Sequence, residues 1–219
     1  VGRLSDVQAV TMNADATLAA FFAATSSMSD RDDHASVAYN GYLYVIGGSS
    51  SNGNLSDVQV APIAQVAPLT TNGSLGVFAT TTSFNPFRIR HASVAYNGFL
   101  YVIGGLDGIT FLSDVKVAPI NGDGTLGAFT ATTSFPTARF GHTSVAYNGY
   151  LYVIGGSSEG ATLNDVRAAP INTDGTLGPF FVARTGVANV GIGHASVVYN
   201  GNLYVIGGTD GISSLSGVR

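Results

Sequence analysis

The chain has 219 residues, among them 29 glycines, ten tyrosines and twelve phenylalanines but no cysteine, and nine basic against thirteen acidic residues give a net charge of −4. Without cysteine there are no disulfides, thiolate metal sites or cysteine nucleophiles. With no Lys/Arg cluster there is no electrostatic footprint for a phosphate backbone, so nucleic acid is not an expected partner.

Lys116 is the only lysine and Glu159 the only glutamate, which starves any long solvent-facing helix of its usual surface residues, so an all-β fold is expected. No run approaches the roughly 18 apolar residues of a membrane helix, and no charged-then-apolar leader precedes a small-residue cleavage site. The chain therefore reads as soluble, or as a mature or trimmed product. Its Ser/Thr/Gly/Ala-rich surface points to an exported bacterial protein, extracellular or at the cell surface. The sequons at Asn54 and Asn72 matter only in a eukaryotic secretory route.

In chain order, Leu4-Ser-Asp-Val7 opens an extended segment that returns at Leu55, Leu112, Leu163 and Leu215. Next comes His34-Ala-Ser-Val-Ala-Tyr39, then Asn40-Gly41, then Tyr42-Leu-Tyr-Val-Ile46 and Gly47-Gly48. The ten residues from Tyr39 to Gly48 recur unchanged at 147–156 and with a single change each at 96–105 and 199–208. A fixed period near fifty residues marks a repeat architecture. Asn-Gly between two β-prone runs predicts a hairpin with a type I′ turn, giving strands A and B, and Gly-Gly is expected to end B. The Leu-Ser-Asp-Val segment is strand C, with Pro62, Pro119 and Pro170 at its far end. A turn such as Asn121-Gly-Asp-Gly124 leads to an outer strand D from Thr125 to Thr130. Four antiparallel strands per unit make a propeller blade.

The unit resembles a kelch repeat. The residues that carry the likeness are the Gly-Gly pair after an aromatic-containing strand B (Tyr44, Tyr101, Tyr152, Tyr204), the downstream Asp-Val, and an aromatic near strand D at Phe78, Phe129 and Phe180. The family more often carries Trp at that last position and this chain has none, so the type is divergent. The resemblance implies an all-β propeller of four-stranded blades around a central channel, and no single activity.

Residues 1–219 are expected to form a single propeller domain: 1–33 the C–D half of a split blade, 34–90, 91–141 and 142–193 full blades, and 194–219 strands A–B with the start of C. The histidines at 34, 91, 142 and 194 are spaced 57, 51 and 52, and the long interval contains a near-perfect six-residue duplication, Gln59 to Ala64 and Gln65 to Thr70. It should emerge as a longer C–D connection or bulge. Two readings of the ends stay open: the half-blades combine and close a four-bladed ring, or the chain is part of a larger propeller of six or seven blades.

The four histidines occupy one repeat position, so they are expected to bond neighbouring backbone at each blade entry rather than to bind a metal. Recurrent Asp6, Asp57, Asp114 and Asp165, replaced by Gly217, are expected to accept N–H bonds from the turn before strand C. The segments ending at Gly124 and Gly175 read as tight turns: a calcium loop would need a later acidic ligand, and a sialidase Asp-box a preceding Ser and following Trp.

Better ligand candidates break the repeat. Three places before the histidine stand Arg31, Arg88 and Arg139 but Gly191; directly before it stand Asp33, Arg90, Gly141 and Gly193. These D–A loops should share one face with the B–C loops, which hold Asp107 and Asp210. For the arginines two readings stay open: a bidentate fork for a carboxylate or sulfate ligand, or pairing with Asp30, Asp32 or a neighbouring blade. No catalytic triad, phosphate loop or zinc-protease motif is present, so no catalytic residue, metal or cofactor is assigned. The expected function is a non-catalytic module presenting its loop face to a protein or glycan. Alternatives are a kelch-related hydrolase or oxidase, the copper oxidase type being set aside because it needs a Cys-linked tyrosine, and a structural unit that self-associates through open blade edges.

Overall fold

A computed structural model describes residues 5–10, 18, 22–24, 28–63, 75–187 and 190–209, and none of these is helical. The strands in chain order are β1 (Val7–Ala9), β2 (Phe22–Ala24), β3 (Ala35–Tyr39), β4 (Tyr42–Ser50), β5 (Gly53–Pro62), β6 (Ala79–Thr80), β7 (Ala92–Tyr96), β8 (Phe99–Leu106) and β9 (Phe111–Pro119). They continue with β10 (Thr130–Thr132), β11 (Thr143–Tyr147), β12 (Tyr150–Ile154), β13 (Ser157–Ser158), β14 (Ala161–Thr162), β15 (Val166–Pro170), β16 (Phe181–Arg184), β17 (Ala195–Tyr199) and β18 (Asn202–Ile206). Three four-stranded antiparallel sheets result: β3-β4-β5-β6, β7-β8-β9-β10 and β11-β12-β15-β16. These are three blades with strands in the A-B-C-D order expected. β1–β2 and β17–β18 are separate two-stranded sheets, and β13–β14 is a small hairpin in the third B–C loop.

The inner hairpins form because Asn40 and Gly41, with φ of 47° and 81°, supply the two left-handed positions of a type I′ turn, and the other three Asn-Gly pairs repeat it. The Gly-Gly pair does not end strand B in the first two blades. It forms a bulge there, with register shifts between Ile46 and Gly48 and between Ile103 and Gly105, and the strand continues to Ser50 or Leu106. Strand D also starts later than expected. Leu75, Leu126 and Leu177 make only isolated bridges, because the glycine that follows each lies flat on the proline ending strand C, where a Cβ would fall 2.5–2.6 Å from the ring.

The core lies between blades. Tyr44, Ile46, Val58, Val60 and Phe84 of the first blade pack on Leu100, Val102, Ala118 and Leu126 of the second. Val94, Tyr101, Ile103, Val115, Val117 and Phe135 of the second meet Leu151, Val153, Ala169 and Leu177 of the third. Each such aliphatic contributes about 1.5–3 kcal/mol on burial, and no blade can bury this face alone. β1 sits on the other side of the first blade, where Val7 packs near Ala61, Leu75 and Phe78.

Tyrosines lock the stack. Tyr44 Oη donates to the Gly124 carbonyl at 3.0 Å and Tyr101 Oη to Gly175 at 2.8 Å, each reaching the C–D turn of the next blade. In the other direction, the N–H groups of Gly98 and Gly149 donate to Tyr39 and Tyr96 Oη, both at 2.9 Å. Among the described residues β17–β18 and β1–β2 are separate sheets, and what these residues show is a row of consecutive propeller-type blades. The second copy of the duplication, residues 65–70, and the C-terminal strand C beginning at Leu215 lie outside the described residues.

Candidate functional site

Among the described residues each D–A loop folds back on the B–C loop of the blade it leads into. Isolated bridges join Asp32 to Ser49, Ile89 to Leu106, Phe140 to Ser157 and Ile192 to Thr209, so both loop sets share one face as expected.

Arg31, Arg88 and Arg139 lie behind that face rather than on it, with exposures of 3, 0 and 0 %. Each guanidinium forks onto the strand-C aspartate of the blade that follows it in the chain: Arg31 onto Asp57 at 3.0 and 3.2 Å, Arg88 onto Asp114 at 3.0 and 3.1 Å, Arg139 onto Asp165 at 2.8 and 3.3 Å. The same side chains cap the carbonyls of Gly47, Gly104 and Gly155 at 2.8, 3.1 and 2.9 Å. One expectation is corrected here: the aspartates bind guanidinium rather than turn N–H groups. Of the two readings left open for the arginines, pairing with a neighbouring blade is the one seen, Arg88 of unit 34–90 meeting Asp114 of unit 91–141 and Arg139 meeting Asp165 of unit 142–193. A carboxylate on strand C lies beside the buried fork, and an unpaired buried charge would be costly. Burial pushes the Asp165 pKa upward, but the bonds and charges of Arg139 and Arg167 outweigh it and hold the carboxyl below its ordinary range.

The residues directly before the histidines form the inner rim. Arg90 N–H donates to the Asp33 carbonyl at 3.0 Å, Gly141 N–H to Arg90 at 2.9 Å and Gly193 N–H to Gly141 at 2.9 Å, a hydrogen-bonded chain that steps from blade to blade. All four have positive φ, from 51° to 69°. Arg90 Nε also binds the Asp33 carboxylate at 3.0 Å, with both side chains well exposed, and its guanidinium lies 6.0 Å from the Phe140 ring centroid. Phe140 stacks on Phe111 at 5.4 Å. The structure therefore brings Asp33 and Arg90 together and adds aromatic neighbours.

Asp107 is partly exposed and serves its own loop, accepting N–H bonds from Ile109 at 3.2 Å and Thr110 at 2.7 Å, which hold its carboxyl below the usual value. That turn thrusts Ile109 into solvent, 92 % exposed, with Phe87 beneath Gly108 and also exposed. Asp210 lies outside the described residues.

The histidines are interblade wedges. A Cβ on Gly47, Gly104 or Gly155 would fall 2.9–3.1 Å from Cε1 of His91, His142 or His194 of the next blade. His194 meets the expectation of a backbone bond, with Nδ1–H donating to the Gly191 carbonyl at 2.9 Å and Nε2 accepting from Thr143 Oγ1 at 2.7 Å. His91 and His142 lack a hydroxyl partner of this kind. The carbonyls of Arg88 and Ile46 approach the His91 ring and that of Ile103 the His142 ring without well-formed bonds, and the rings pack against Phe84 and Phe135 at 6.1 Å, because Ala35 and Ala92 occupy the positions where Thr143 supplies a hydroxyl. Burial, then the charge of Arg88 or Arg139, lowers both to about 3, so both rings are neutral near pH 7. No three metal-ligating side chains converge among the described residues.

Sequence reasoning missed Phe140, Phe111, Ile109 and Phe87. A signal was present: Phe140 stands where other units have Asp32, Ile89 and Ile192, and Phe111 where they have Asn54 and Thr162.

A kelch-motif family model matches residues 30–60, 138–168 and 192–219. The Rho GTPase-activating protein gacHH of Dictyostelium discoideum is 26% identical over 186 residues, covering 76% of this chain and 12% of that protein. Beta-scruin of Limulus polyphemus is 29% identical over 137 residues, covering 61% of this chain and 14% of its own length. The chain thus spans a small part of each relative. Blades of the A-B-C-D order and Gly-Gly bulges agree with the motif matches, so the repeats of this chain are of the kelch type.

Proposed function

We propose that this chain is a protein-interaction module whose contact surface is the rim formed by the D–A and B–C loops. Kelch repeats generally mediate protein interaction, and the observation that supports the particular surface is the gathering of repeat-breaking residues there. Arg90 is paired with Asp33 and laid over Phe140, which stacks on Phe111, and the same loops expose Phe87 and the protruding Ile109. Arg and large apolar groups ringed by polar residues are what protein hot spots use. Around the same rim Gly141 and Gly193 carry no side chain, so the surface is one-sided, and a partner approaches the first and second blades.

The test places a photo-crosslinking residue at position 109 or, as a control, at position 123 in the C–D turn at the opposite end of the second blade. Protein adducts from 109 that disappear when Arg90→Glu is added are expected. Adducts formed equally from 123, or retention on immobilised glycans with no protein adduct, would overturn the reading.

A further inference from the structure

The four Tyr-Asn-Gly turns share their local sequence and geometry, with asparagine φ of 47–49° and glycine φ of 76–82°, yet differ in one contact. Gly98 N–H is held by Tyr39 Oη and Gly149 N–H by Tyr96 Oη, both from the preceding blade. Gly41 N–H and Gly201 N–H have no such acceptor among the described residues. Tyr147, the equivalent tyrosine before Gly201, is 42 % exposed; its hydroxyl lies 3.6 Å from where a Cβ on Gly201 would sit and does not take up the N–H.

Asn-Gly is chemically vulnerable through that same glycine nitrogen. The nitrogen loses its proton to hydroxide and attacks the asparagine side-chain carbonyl carbon; the C–N bond to the amide breaks and ammonia leaves, closing a succinimide. Water then opens the ring to aspartate or to the β-linked isomer. Glycine offers no side chain to block the approach. A hydrogen bond on the attacking nitrogen ties up the proton that must leave and adds to the cost of opening the turn.

From this geometry we infer that Asn40 and Asn200 are sites of spontaneous deamidation, while Asn97 and Asn148 are shielded by the tyrosine of the blade before them. The stacking of blades therefore has a chemical function beyond packing. Each event adds a negative charge, and the β-linked product adds a main-chain atom to a two-residue turn that sets the register of its hairpin. At Asn200 this loosens β17–β18.

The folded chain, incubated near neutral pH and body temperature, is followed by peptide-mapping mass spectrometry for loss of each side-chain amide. Asn40 and Asn200 are expected to convert about fivefold faster than Asn97 and Asn148, the factor that one net hydrogen bond supplies. Tyr39→Phe should raise the rate at Asn97 by a similar factor and leave Asn148 unchanged; Tyr96→Phe should do the reverse, with circular dichroism confirming that each variant is folded. In concentrated urea the four rates should converge. Equal rates in the folded chain, an Asn97 that stays slow in Tyr39→Phe while Asn148 stays slow in Tyr96→Phe, or a difference that persists in urea would overturn the inference.

Discussion

A guanidinium with no exposure survives in this fold only because a carboxylate meets it, and the two members of the pair are unequal. Arg88 is sealed while the Asp114 side chain is 27% exposed, so the aspartate can hydrate when left alone and the arginine cannot. Asp114→Ala is therefore expected to cost about 3–5 kcal/mol and Arg88→Met less, although Met also loses the cap on Gly104. Replacing both together should cost less than the sum of the two. Urea unfolding of the three variants measures this, and an additive double variant would show that the charges are not coupled. The sequence of the last unit obeys the same rule, since Gly191 and Gly217 stand where the arginine and aspartate would be. Losing one alone would strand a charge.

At the scale of the element, the Gly-Gly bulge lets neighbouring blades touch. At Gly104, with φ of +54°, an added Cβ would fall 2.9 Å from the Arg139 carbonyl, from His142 and from Phe135, whereas at Gly122 it would meet nothing within 4 Å. Gly104→Ala combines backbone strain with overpacking and should cost about 3 kcal/mol or more, while Gly122→Ala should change stability by about 0.5 kcal/mol or less. Comparable denaturation midpoints for the two would contradict the role given to the bulge. Hairpins, strand order and the shared loop face were legible because Asn-Gly turns and alternation are local signals. The Arg–Asp pairs were not. In a repeat every pair of recurring positions keeps its spacing, so the constant 26 residues between Arg88 and Asp114 single out nothing until the pairing of β8 with β9 is known. The links from Tyr39 to Gly98 and from Tyr44 to Gly124 depend on how blades stack, which no single unit encodes. Of the rim, Asp33 and Arg90 were visible as departures from the repeat. Phe140 and Ile109 were departures too, but the reading weighted charge over apolar exposure.

For the whole molecule, stability near neutral pH rests on histidines that stay uncharged at the blade interfaces. His91 and His142 have ordinary values near 6.5 when unfolded and about 3 when folded, with burial the main cause and Arg88 and Arg139 adding repulsion. The unfolded chain therefore takes up protons across this interval and the folded chain does not. Stability falls as pH drops from about 6.5 towards 3, with a limiting slope of about 1.4 kcal/mol per pH unit for each histidine. Asp165, whose carboxyl is held below 3.8, contributes stability that is lost only as the pH falls through its lower folded value, so the loss between pH 6 and 4.5 belongs to the histidines. Because each wedge joins two blades, protonating either one weakens an interface that its neighbours share, and unfolding should remain cooperative. The denaturant midpoint is expected to fall steadily over that interval, and His142→Gln should flatten the dependence whatever it does to stability at neutral pH. If the slope in His142→Gln matched that of the unaltered chain, the acid sensitivity would lie elsewhere and the neutral wedge would not be its cause.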